Sequence, residues 1–360
     1  MTRPTSLTID LAAIRANVAL TRKRAPQSKL LACVKADAYG HGLVQVAKAI
    51  VTGVDAFGVA NIEEALVLRR SGIDSPILLL EGVFQADELD EVVANDLWIT
   101  VHSQYQVEML ECLATKRPIQ VWLKMDTGMH RLGFSPADYK EAYGKLSTCS
   151  AVGSIVHMTH FACADEPENS ITTQQLEAFQ TGILGLPGER SVANSATILS
   201  REDAHFEWVR PGFMLYGASP FIDPTMEVDQ LTPAMHFSAA VIAVREIQAG
   251  DAVGYNHSWR ATRDTRVAVI AAGYGDGYPR NTASGTVVLV GDQPATTIGH
   301  VAMDMILVDV TALRNVHEGT PVELWGKKLS VNEVAASSGF SSYELMTRMT
   351  GRVPRTYENR

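Results

Sequence analysis

Leu30-Leu31-Ala32-Cys33-Val34 runs into Lys35 and then into Ala36-Asp37-Ala38-Tyr39-Gly40-His41-Gly42. An apolar run of this length, ended by polar residues and glycine, reads as a buried strand. Lys35 falls at its end. An amine placed there is expected to be buried, and desolvation favours its neutral form, the nucleophile that attacks an aldehyde. The plainer alternative is a lysine that reaches from the strand end to solvent. Tyr39 and two flanking glycines within one tight turn suit a phosphate-bearing ligand better than a plain loop.

The same grammar recurs along the chain. Short apolar runs stand at Leu30 to Val34, Ala56 to Ala60, Ile77 to Leu80, Leu97 to Val101, Ile119 to Met125, Ile155 to Phe161, Ser191 to Ala193 and Glu207 to Val209. Between them lie amphipathic patterns, such as Leu11, Ile14 and Val18; Val107, Leu110 and Leu113; and Leu176, Phe179 and Ile183, each with one apolar face at helical spacing. Strand-helix alternation implies a parallel sheet, and about eight units without a dinucleotide fingerprint favour a closed (β/α)8 TIM-type barrel over an open doubly wound sheet. The pattern changes after Ser219-Pro220-Phe221-Ile222-Asp223-Pro224. Beyond it, strand-like runs at Ala239 to Val244, Val267 to Ala271, Val287 to Val290 and Met305 to Val310 are punctuated by Gly250-Asp251 and Gly291-Asp292, which reads as a mostly β domain. A late helix is expected near Val331, Val334 and Ala335. The expected division is an α/β barrel over residues 1–230 and a C-terminal β domain over 231–360.

At 360 residues with a formal charge of −9, the chain can bury a large core and has no basic footprint for nucleic acid or an anionic membrane. Cys33, Cys112, Cys149 and Cys163 are irregularly spaced without a C-x-x-C pair, so neither a zinc site nor a disulfide framework is indicated. Met1-Thr2-Arg3-Pro4-Thr5-Ser6 leads into no apolar h-region, and no run approaches a membrane span in length. A soluble, cytoplasmic protein acting on a small molecule is the expectation.

In such a barrel the site lies where strands end. The exits of the runs carry Lys35, Lys124 with Asp126, His160, Asn194-Ser195 and Arg210-Pro211-Gly212. Any one of these suits an ordinary strand end; several around one mouth point to a ligand site. His157, His160 and Cys163 invite a metal reading, but odd offsets along a strand point to opposite faces, so His157 and His160 cannot share an ion and no metal is expected.

Val34-Lys35-Ala36-Asp37-Ala38-Tyr39-Gly40-His41-Gly42 closely resembles the cofactor-lysine signature of alanine racemases, and further segments match that family in order across almost the whole chain. The resemblance implies that Lys35 carries pyridoxal 5'-phosphate (PLP). Arg131, in Asp126-Thr127-Gly128-Met129-His130-Arg131-Leu132-Gly133, would bind the substrate carboxylate and the cofactor's phenolic oxygen with its fork of donors. Lys124 matches a lysine that many relatives carry as a carbamate, and His160 one that packs on the cofactor ring. Tyr39, Asn194, Ser195, Gly212 and Tyr343 would hold the phosphate. Arg210, in Val209-Arg210-Pro211-Gly212-Phe213, matches the arginine facing the pyridine nitrogen, where a permanent cation disfavours protonation and keeps the α-carbanion short-lived. Tyr255, in Gly254-Tyr255-Asn256-His257-Ser258-Trp259, matches a second catalytic base that acts opposite the lysine and reaches the site from the other subunit, so a homodimer with shared active sites is implied. Met303, in Gly299-His300-Val301-Ala302-Met303-Asp304, matches a carboxylate-binding position, and Arg280 an entrance arginine. His300 departs from the pattern, which has arginine there.

The resemblance thus implies an isomerase that interconverts L- and D-alanine by two-base proton transfer. A broader serine and alanine racemase is an alternative, since excluding one added hydroxyl by packing yields only about a hundredfold. A fold-related PLP decarboxylase is disfavoured by Arg210, because those enzymes pair the pyridine nitrogen with an acid. A non-catalytic PLP carrier would lack the β domain. A metal-dependent barrel hydrolase fails on ligand spacing. Supply or breakdown of D-alanine is left open by the residues.

Overall fold

The computed structural model describes residues 3–221, 228 and 230–359. Met1, Thr2 and the Ile222, Asp223 and Pro224 of the stretch between the two halves lie outside them. The strand β1 (Thr5–Asp10) alternates buried and half-buried residues, the mark of a sheet with one wet face. The next eight strands differ: β2 (Lys29–Cys33), β3 (Ala56–Val59), β4 (Ile77–Leu79), β5 (Leu97–Val101), β6 (Ile119–Lys124), β7 (Val152–Met158), β8 (Glu189–Ser191) and β9 (Trp208–Val209) are mostly continuous apolar runs. They pair in parallel, neighbour to neighbour, and close into a barrel, as the alternation in sequence implies. Each expected run is found, with β7 and β8 beginning earlier than the runs suggested. The expected apolar patterns become the helices Leu11–Arg24, Gln104–Glu111 and Ile171–Gly182. The Asp10 carboxylate caps the first of these by accepting the Ala13 N–H at 2.9 Å, and Arg22, Lys23 and Arg24 sit in its last turn, where cations oppose the negative dipole end.

The barrel interior is filled, not open. Leu31, Ala56, Leu78, Trp122, Val156, Met158 and Trp208 form its cluster, with the Trp122 and Trp208 rings 5.4 Å apart. Cys33 and Met158, at the top of that cluster, are also the floor of the cavity described below.

A second sheet is built from β10 (Met235–Ile247), β13 (Thr265–Ile270), β14 (Val287–Val290), β15 (Gln293–Thr297), β16 (Ile306–Asp309), β17 (Pro321–Trp325) and β18 (Arg355–Glu358), with a separate ribbon of β11 (Ala252–Val253) and β12 (Trp259–Arg260). β1 completes it. That strand runs antiparallel to β10, with Leu7 opposite Phe237, and parallel to β18, with Leu7 opposite Arg355. Residues 5–10, which the sequence reading grouped with the barrel in 1–230, therefore belong by hydrogen bonding to the second sheet. Long β10 serves several partners by bending at register shifts near Phe237 and Val241, the effect of β-bulges. The expected late helix is Val331–Ser338, and a further one, Ser342–Thr347, carries Tyr343.

Immediately after Lys35 the chain turns the wrong way. Ala36, Asp37, Ala38 and Tyr39 have φ between 52° and 54°, a left-handed turn without glycine, and each such residue costs about 1–2 kcal/mol. Side chains from around the turn hold it. The Asp37 carboxylate accepts the Leu43 N–H at 2.8 Å, and the Glu64 carboxylate accepts those of Ala36 at 2.7 Å and Ala60 at 2.8 Å. His41 Nδ1 lies 3.0 and 2.9 Å from the Ala38 and Tyr39 carbonyl oxygens, so it donates to them. Gly42, at φ +98°, leaves space that a Cβ would take from the Tyr357 hydroxyl.

Burial pushes the His41 pKa down from 6.5 to about 4, against the opposing pull of those carbonyls. A depressed pKa means that the unfolded chain binds the proton first, so stability is complete above pH 6.5 and is lost as pH falls through the folded value. The decline from pH 6.5 to about 4 carries on the order of 3 kcal/mol from His41 alone, at 1.36 kcal/mol per unit. Denaturant titrations across that range should show a shallower decline for His41→Asn, whose side chain does not titrate; parallel curves for the two proteins would contradict the assignment.

Candidate functional site

A cavity of about 540 Å³ opens at the C-terminal ends of the barrel strands. Lys35, Tyr39, Arg131, His160, Asn194, Ser195, Arg210, Gly212 and Tyr343 all line it, together with Lys124. Tyr255 and Met303 do not: they are 71% and 51% exposed on the second domain of the same chain. The cavity also takes in Glu81, Asp165 and Phe213, which the sequence reading passed over. Glu81 directly follows the Ile77 to Leu80 run and is thus a strand exit like the others. Asp165 lies in an irregular loop that carries no periodic signal.

Arg210 follows β9 and is 5% exposed. Its Nη1 donates to Ser191 Oγ at 2.7 Å and its Nη2 to the Thr159 carbonyl at 2.8 Å, with His160 Nδ1 3.3 Å from Nη2. Burial lowers its pKa to about 10, with Cys33 opposing, so the guanidinium keeps its charge at neutral pH. His160 is held well below its usual pKa, chiefly by burial and then by Arg210, Lys124, Arg131 and Lys35. A neutral imidazole follows, able to accept at Nδ1. His157, by contrast, is enclosed beside Tyr139 and Pro187, 2.9 Å from the Tyr139 hydroxyl.

Lys35 is half-buried, not sequestered as expected. The reason is local: β2 ends at Cys33, and the lysine opens the left-handed turn beyond it. Lys124, the last residue of β6, is buried at the same mouth. Burial, then Arg131, Arg210 and Lys35, lower its pKa to about 8, with Asp126 opposing. An appreciable neutral fraction results, and that is the form that adds carbon dioxide. Asp126 shapes the loop bearing Arg131: its carboxylate accepts the Gly128 and His130 N–H groups, each at 3.0 Å. Burial works against its ionisation, yet these donors hold its pKa below the usual value.

The same cavity holds a cradle of small and hydroxyl groups. Ser195 Oγ accepts the Gly212 N–H at 3.0 Å and the Met214 N–H at 3.3 Å. The Asn194 side chain is engaged in capping, accepting the Thr197 N–H at 3.1 Å. A Cβ at position 212 would come within 2.8 Å of the Tyr39 hydroxyl, so glycine keeps this corner open. Tyr343 is stacked on Phe213 with centroids 3.6 Å apart.

The charge balance decides what fits. Lys35, Lys124, Arg131 and Arg210 face Glu81 and Asp165 in the lining, and Lys35, Lys124 and Arg131 make no side-chain hydrogen bond or ion pair among the described residues. Unpaired like charges in one cavity call for an anionic occupant. A phosphate in the Tyr39–Ser195–Gly212 cradle and an acidic oxygen near Arg131 meet that need, so the residues present fit PLP. Among the described residues no group of His, Cys, Asp and Glu has metal-site geometry, and no helix is long and apolar enough to cross a membrane.

Residues 9–220 match the family model for the alanine racemase N-terminal domain, and residues 234–357 that for the C-terminal domain. The chain is 48% identical to the biosynthetic alanine racemase of Escherichia coli O6:H1, over 97% of this chain and 98% of that one. The biosynthetic alanine racemase of Pseudomonas aeruginosa superposes with a TM-score of 0.96 at 44% identity, covering 99% of this chain and 100% of that one. The alanine racemase of Bartonella henselae, solved with covalently bound pyridoxal phosphate, gives 0.91 at 30% identity, covering 99% of each. Both domain models and the full-length relatives agree on barrel and second sheet alike, and the chain belongs to the alanine racemase family.

Proposed function

We infer that the chain is an isomerase that interconverts L-alanine and D-alanine, with PLP on Lys35 and with each active site completed by a second copy of the chain. The observation that carries the reading is the cavity around Lys35, where three cations lack partners beside a glycine-lined hydroxyl cradle. PLP held there would supply an aldehyde that captures amines covalently and a conjugated ring that draws electron density from the substrate α-carbon.

The chain's own residues then have distinct tasks. Arg131 pairs with the substrate carboxylate, and its planar fork fixes orientation. Met303 of the second copy adds to that contact. Racemisation takes a proton from one face of the α-carbon and returns one to the other, so it needs two proton carriers on opposite sides. Lys35 Nζ serves one face. The Tyr255 hydroxyl of the second copy serves the other; its exposure at 71%, with Met303 and Met305 also exposed on the same domain, supports a face covered by another chain. Arg210 stays cationic beside the neutral His160, and with PLP bound a permanent cation there would disfavour protonation of a basic ring nitrogen and so limit how far charge spreads from the α-carbon. Prompt reprotonation follows, in preference to transamination or loss of the carboxylate. Tyr343, Tyr255 and Met303 suit a methyl side chain, and serine should be turned over about a hundredfold less well.

Lys35→Ala should abolish both the visible absorbance of bound PLP and racemisation, while the protein still folds; retention of either property ends this reading. Tyr255→Phe should slow turnover by about 10²–10⁴, the usual worth of a general acid-base group. Its α-deuterium isotope effects should become unequal for L- and D-alanine. Equal effects in the two directions would remove Tyr255 from the proton path.

A further inference from the structure

The left-handed turn after Lys35 has its own fastening. Glu64, on the helix Ile62–Arg70, accepts the N–H of Ala36, the residue directly after the lysine. Arg355, on β18 in the second sheet, donates from Nη1 to Asp37 Oδ2 at 2.6 Å. The two side chains of that pair are 23% and 51% exposed, so attraction across solvent alone is worth little. Their value lies in what they grip. Four consecutive residues in the left-handed region lie uphill by about 1–2 kcal/mol each, and such a turn persists only when its surroundings over-determine it. Packing on the same side comes from the backbone of Met346 against Gly40 and the Tyr357 ring against Gly42, both from the C-terminal part of the chain.

The geometry points to Glu64 and Arg355 as positioning residues for the reaction: they hold the strained turn that aims the Lys35 amine, and Arg355 registers that turn to the second domain. This rests on Lys35 holding PLP as inferred above. Neither side chain lines the cavity, so neither is a catalytic residue. A shift of the turn would move the amine while leaving Arg131 and the substrate pocket in place, which separates kcat from KM.

The test uses the PLP-loaded enzyme and three variants, Glu64→Gln, Arg355→Gln and Arg355→Lys. Stripping of bound PLP by excess hydroxylamine, followed by visible absorbance, should be about tenfold faster in the two Gln variants, with kcat lower by about as much and KM within about twofold, as small misplacements of a reacting group cost rate. Arg355→Lys, which keeps a donor and a charge, should recover most of both. If Arg355→Gln does not fold, Asp37→Asn, which removes the charge facing Arg355, supplies the same comparison. Wild-type stripping rates and kcat in the variants, with or without a lower melting temperature, would overturn the inference while leaving the site reading intact. A wild-type protein that shows no PLP absorbance at all would overturn both.

Discussion

Like charges forced into one cavity are the constraint on which this structure turns. Lys35, Lys124, Arg131 and Arg210 converge at the mouth of the barrel, with Glu81 and Asp165 as the carboxylates in the lining. The cost is visible in the ionisation of the neighbours: burial and adjacent cations lower Lys124 to about 8, and the same cations with burial keep His160 neutral. Arg210 alone has its charge satisfied by fixed protein acceptors, Ser191 Oγ and the Thr159 carbonyl. It is built in; the others are poised for something that is not protein.

The barrel makes this concentration of charge affordable by separating structure from site. Its interior is packed with apolar and indole side chains that end at Cys33 and Met158, so stability is secured below the cavity floor. Above it, each strand exit can present a polar group without disturbing the core. The strained turn at Ala36–Tyr39 is the exception, a local violation of backbone preference next to the reactive amine, offset by Glu64, Asp37 and His41. Strain of that kind concentrates at functional positions.

Much of this was legible in the residues. Most barrel strands bury both faces, so β2 to β6 announce themselves as apolar runs, whereas β8 (Glu189–Ser191) is polar and only its end is marked by the apolar residues after it; polar residues at the strand ends single out Lys35, Lys124, His160, Asn194 and Arg210. His157, inside β7, is enclosed beside Tyr139 and Pro187, whereas His160 lies two residues past the end of that strand and lines the cavity, so strand alternation does not reach it. β1 was misgrouped because its partners, β10 and β18, lie more than 200 residues away, and no local pattern reports so distant a pairing. β15 and β18 are short, and β15 contains Pro294, which blurs the strand signal. The half-buried state of Lys35 was missed for a different reason: a left-handed turn of non-glycine residues is disfavoured locally and is imposed by tertiary contacts. Tyr255 and Met303 were named through family resemblance alone, since an exposed tyrosine near a turn carries no chemistry of its own.

The central claim, that unpaired cations in the barrel mouth await an anion, is tested most directly by the unfolding temperature of the PLP-free protein at low salt as inorganic phosphate or PLP is added. A ligand that binds only the folded state stabilises by RT ln(1 + [L]/Kd), and salt should weaken the effect by screening. The account predicts a rise with phosphate, a larger rise with PLP, and attenuation of the phosphate effect at high salt. An unfolding temperature indifferent to both anions would contradict it.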